Sequence, residues 1–113
     1  MSLPVALFGI AALGGAVMAV LRLRGAERPP MAVALIHGAL AAAGLVVLIM
    51  SVLSAAPAPM TRVALVLFVA AALGGFVLFS FHLRQKALPI GLVLIHGAVA
   101  VVAFVLLILG SGV

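Results

Sequence analysis

The stretch VALVLFVAAALGGFVLFSF, residues 63–81, decides how this chain must be read. It is unbroken by any charge and is long enough, at about 20 residues, to cross the hydrocarbon core of a bilayer as one helix. Three more such runs surround it. They cover about residues 3–21, 30–53 and 89–109. The first ends at Arg22-Leu23-Arg24, the second before Ala55-Ala56-Pro57-Ala58-Pro59, and the fourth at Gly110-Ser111-Gly112. Pro30 and Pro89 open the second and fourth runs, where proline suits the first turn of a helix because no intrahelical N–H is needed there. The first run lacks a basic leader and a small-residue cleavage site, so it is expected to be a retained span.

Composition agrees with lipid as the solvent. Of the 113 residues, 69% are hydrophobic and 6% charged, against about 45–50% and about 25% in soluble domains. A short chain cannot bury that much apolar surface within itself. The fold expected is all-α, an integral membrane four-helix bundle in one transmembrane domain, residues 1–113. The formal charge of +5 comes from six basic residues and the single acid Glu27. These charges sit between apolar runs, where they set topology and meet anionic lipid headgroups. They form no basic face of the kind nucleic acid requires. Arg22, Arg24 and Arg28 fall in loop 22–29, and Arg84 and Lys86 in loop 82–88, whereas the central loop has only Arg62. The positive-inside rule places both basic loops in the cytoplasm and both termini outside, as in a bacterial inner membrane. Absence of cysteine excludes disulfides, thiolate metal sites and iron–sulfur clusters.

The chain repeats itself. Residues 5–24 match 65–84 at half their positions, sharing Leu-Phe, Ala-Ala-Leu-Gly-Gly and Leu-x-Arg. Residues 30–51 match 89–110 nearly as well, sharing Leu-Ile-His-Gly-Ala. Repeat one spans 5–53 and repeat two 63–110. Each holds an even number of spans, so the two tandem hairpins are expected to be parallel in orientation, related by an axis along the membrane normal. His37 and His96 then lie at one depth, each seven residues past its proline, or roughly 10 Å along the helix. In an up-down ring their helices are diagonal and the imidazoles face each other.

Ionisable residues within a span usually face the bundle interior and mark function. The neighbours here are small. Gly38 and Gly97 follow the histidines, and Gly14, Gly15, Gly74 and Gly75 lie at a similar depth on the other helices. In this layout the chain resembles membrane b-type cytochromes, four-helix bundles with paired intramembrane histidines and glycines beside the haem. The resemblance covers the His-Gly and Gly-Gly positions. It implies one haem b with His37 and His96 as axial ligands, Arg22, Arg24 and Arg84 pairing with propionates, and Phe76, Phe79 and Phe104 along the ring edge. It further implies electron transfer with a quinone or a redox partner protein. Only two deep histidines exist, so one haem is the most the chain accommodates.

A second reading stands beside it. The small residues then let helices approach closely, each histidine bonds a backbone carbonyl or its twin, and the chain is a cofactor-free accessory subunit of a larger membrane complex or a homo-oligomer. Two histidines alone leave a zinc shell unfilled, and no carboxylate is available to extend a proton relay. The chain has no nucleophile triad, phosphate loop or carboxylate pair, so a self-contained enzyme is not expected. His82 aligns with Arg22 at the interface, as a polar boundary residue or a group beside a propionate or quinone.

Overall fold

The computed structural model describes residues 1–112. They form four α-helices: α1 Ser2–Leu23, α2 Met31–Ser54, α3 Pro59–Leu83 and α4 Ile90–Ser111. All four are long and apolar enough to cross a membrane, and the bundle is 43 Å long and about 20 Å across. Each helix packs against two neighbours. The α1–α2 and α3–α4 hairpin seams are the more extensive, the α1–α4 and α2–α3 seams the thinner, and α1 faces α3, and α2 faces α4, only diagonally. One end of the bundle carries the α1–α2 and α3–α4 turns and is called the loop end. The other carries the chain termini and the α2–α3 turn and is called the terminal end.

The helix boundaries follow local chemistry. Pro30 and Pro89 are N-caps of α2 and α4 rather than helical residues. Their carbonyls accept the first helical N–H bonds, from Ala34 and Val93. The third helix begins at Pro59, four residues ahead of the apolar run, because proline is pre-set for a helix's first position and carries Met60 to Arg62 into the helix with it. α1 and α3 end alike. Gly25 N–H bonds Arg22 O and Ala26 N–H bonds Leu21 O, while Gln85 N–H bonds His82 O and Lys86 N–H bonds Phe81 O. This is the Schellman arrangement, which needs a left-handed residue after the cap. Gly25 takes φ +108° and Gln85 takes φ +56°. A non-glycine residue there carries strain of about 1–2 kcal/mol.

Inward stripes recur every three to four residues, as helix periodicity requires. They run through Pro4, Phe8 and Ala11 on α1, Gly44 and Leu48 on α2, Thr61, Ala64, Phe68, Ala71 and Leu78 on α3, and Ala103 and Leu107 on α4. The main core cluster, Phe8, Leu48, Ala64, Phe68, Ala103 and Leu107, lies wholly in the terminal half. Phe8 and Phe68 stack across the α1–α3 diagonal, with ring centroids 3.8 Å apart and planes at 6°. Gly44 admits the Phe8 ring, which lies 3.2 Å from where a Cβ would sit. The outward faces are almost continuous apolar side chains.

Candidate functional site

His37 and His96 extend the inward stripes of α2 and α4 toward the loop end, seven residues before Gly44 and Ala103 respectively. Their rings meet edge to face across the α2–α4 diagonal, with centroids 6.3 Å apart and planes at 79°. Each ring is anchored to its own hairpin. His37 Nδ1–H donates to Ala11 O at 2.7 Å, and His96 Nδ1–H donates to Ala71 O at 2.8 Å. A carbonyl oxygen can only accept, so the partner assigns the proton to Nδ1 and leaves the lone pair of the neutral ring on Nε2. Both imidazoles are only partly buried, unlike the phenyl rings one layer away.

The glycines have a specific job here. A Cβ on Gly15 would sit 3.0 Å from His37 Cε1, and one on Gly75 would sit 3.2 Å from His96 Cε1. The Nδ1–Cε1 edge of each ring therefore lies in the notch made by that glycine. The room expected beside the histidines for a cofactor is, at Gly15 and Gly75, occupied by the imidazoles themselves. Gly14 and Gly74 also border the histidines at ordinary contact distances of 3.6 Å, Gly14 against His37 Cβ and Gly74 against His96 Nδ1. Gly38 and Gly97 do not join this layer and have nothing within 4 Å of a Cβ position.

The expected aromatic lining is dispersed. Phe76 is 72% exposed on the outside of α3. Phe79 sits near the loop end, 6.0 Å from the His82 ring. Phe104 packs with the terminal-half core, 3.5 Å from the Cβ position of Gly9. The arginines are spread over the loop end. Arg22 is partly buried, and its Nε–H donates to Leu88 O at 2.7 Å. Arg84 donates to Ser80 O and Ser80 Oγ and lies over the Phe81 ring. Arg24 is exposed.

Sequence patterns did not point to the carbonyl partners of these side chains. His82 Nε2–H donates to Pro29 O at 2.7 Å, the counterpart of the Arg22–Leu88 bond in the other hairpin. Both acceptors are backbone atoms distant in sequence, and no residue-type pattern marks them. Arg28 Nη1 donates to Gln85 O at 2.9 Å, and Leu88 N–H donates to Glu27 O at 3.0 Å. The two loops are thus bonded to each other.

Among the described residues no group of three or more His, Cys, Asp or Glu could hold a metal ion. A recess of about 300 Å³ opens at the terminal end beside Ser51, Ser54, Thr61 and Ser111, far from the histidines. In it Thr61 Oγ1 is buried without a hydrogen-bond partner. No family model, curated protein or solved structure matches this chain.

Proposed function

We propose that the chain is a small membrane cytochrome that holds one haem b between His37 and His96 and passes single electrons. The observation that carries this reading is the 6.3 Å spacing of two near-perpendicular imidazoles on diagonal helices. At that spacing His37 and His96 would be the residues that hold the iron. The proton assignment supports it too, since a ligating histidine typically donates its other N–H to a backbone carbonyl or carboxylate. Ala11 O and Ala71 O fill that role and leave each Nε2 lone pair available. Haem bound there would supply a one-electron iron couple.

This chain's own residues would orient the ligands, through the carbonyls and the Gly15 and Gly75 notches. They would also offer positive charge to propionates from the loop end. Arg22 lies seven residues beyond Gly15, roughly 10 Å along α1. In this reading the helices span a bacterial inner membrane, both termini lie outside and the basic loops face the cytoplasm. The hairpins descend from a duplication, and the electron donor or acceptor is a quinone or a redox partner protein.

One observation favours the cofactor-free accessory reading. The carbonyl bonds and filled glycine notches give each imidazole a complete seat with no ligand present. Visible absorption of the membrane-purified protein, expressed with haem available, separates the two. The cytochrome reading expects a Soret band with reduced α and β peaks, lost in His37→Ala and in His96→Ala. Colourless, haem-free protein would overturn it.

A further inference from the structure

The loop end holds two reciprocal hydrogen bonds that the haem reading does not use. Arg22, at the end of α1, reaches across to Leu88 O, just before α4. His82, at the end of α3, reaches across to Pro29 O, just before α2. Each acceptor immediately precedes the proline that caps its helix, so it lies one residue outside the helical bond network. The first helical N–H bonds go to the carbonyls of Pro30 and Pro89 themselves. Leu88 and Pro29 are both buried. Their carbonyls therefore need a donor from elsewhere, and in both cases it comes from the opposite hairpin.

The geometry links these bonds to the histidines. The helices so held are α2 and α4, the two that carry His37 and His96. Each latch grips the chain eight residues before the histidine, roughly 12 Å away along the helix. Nothing comparable ties the hairpins together at the histidine layer, where each imidazole bonds only within its own hairpin. The cross-hairpin seams α1–α4 and α2–α3 are also the thinner ones. At the loop side of the histidines, the depth of α2 relative to α4 is therefore set by the two latches together with the Arg28–Gln85 and Leu88–Glu27 bonds.

We propose that Arg22 and His82 are positioning residues that fix the relative register of α2 and α4, and with it the spacing of His37 and His96. The register claim stands independently of what lies between the rings. Its consequence for a shared ligand rests on the haem reading.

The chain has no cysteine, so paired spin labels can be placed cleanly. Cysteines at Leu35 and Leu94, exposed and equivalent positions two residues before each histidine, report the α2–α4 distance in the full-length protein in detergent or nanodiscs. A single narrow distance distribution is expected for the otherwise native chain. Arg22→Ala/His82→Ala broadens or shifts it, and His82→Gln, which keeps a donor near the Nε2 position, leaves it narrow. An unchanged distribution in the double variant overturns the proposal. Should the double variant fail to insert, His82→Ala against His82→Gln decides it, and identical distributions for that pair overturn it. In haem-loaded protein the same variants give a second readout, with the low-spin bis-imidazole resonance split or partly converted to high spin. Failure to load haem removes that readout alone and leaves the distance measurement intact.

Discussion

Two layers of ring side chains sit one above the other on the bundle axis, and they are closed by different means. Phe8 and Phe68 come from the α1–α3 diagonal and stack face to face at 3.8 Å, nearly inaccessible. His37 and His96 come from the α2–α4 diagonal, meet edge-on at 6.3 Å and remain partly exposed. The phenyl rings have no polar atom to satisfy, so dispersion draws them together until they touch. The imidazoles each carry an N–H that must be bonded. They find that partner sideways, on the first helix of their own hairpin, and this holds them apart. A polar obligation of one bond per ring is enough to turn a packed layer into an open one.

The largest expected effect comes from damaging the closed layer. Phe68→Ala should remove the stack and leave a cavity that the surrounding Leu48 and Leu107 cannot refill, destabilising the protein by about 3 kcal/mol or more. Equilibrium unfolding in mixed micelles measures it, and a change under about 1 kcal/mol would remove the contrast between the layers. At the open layer, Gly15→Ala pits two terms against each other. Alanine gains about 0.5–1 kcal/mol over glycine in a helix interior. Its Cβ would meet His37 Cε1 at 3.0 Å, and overpacking of that kind costs about 1–3 kcal/mol. The clash should win by about 1 kcal/mol. Gly38→Ala, with open space around it, should show the propensity gain alone and stabilise by about 0.5–1 kcal/mol. Opposite signs for the two substitutions, measured side by side, would establish the notch, and equal signs would abolish it. The smallest effect is expected at Thr61→Val. The Thr61 hydroxyl is buried without a partner, so losing it should be neutral or stabilising by about 1 kcal/mol. Clear destabilisation would mean that this oxygen is hydrogen-bonded.

Much of this arrangement was legible beforehand, and the parts that were not share a cause. Apolar length alone located four helices, because each run ends at charges, proline or, for the fourth, Gly110-Ser111-Gly112. Equal spacing from Pro30 to His37 and from Pro89 to His96 put the histidines at one depth. Harder to foresee were the partners of polar side chains. The carbonyls of Ala11, Ala71, Pro29 and Leu88 look like any other backbone group in the sequence, and only the packing of helices selects them. Glycines misled for a related reason. Gly15 and Gly38 are equally small, yet one faces an imidazole and the other open space. The aromatic residues expected beside the histidines, Phe76 and Phe104, went instead to the outer surface and the terminal-half core.

The way each imidazole is seated has a consequence for assembly. Ala11, Gly15 and His37 belong to one hairpin, and Ala71, Gly75 and His96 to the other, so each half of the layer is complete before the halves meet. A two-fold dimer of either hairpin alone would present the same pair of rings with no new anchoring contact. Joining the hairpins through the short Ala55–Ala58 connection therefore adds stoichiometry rather than chemistry. It turns a concentration-dependent encounter into an intramolecular one.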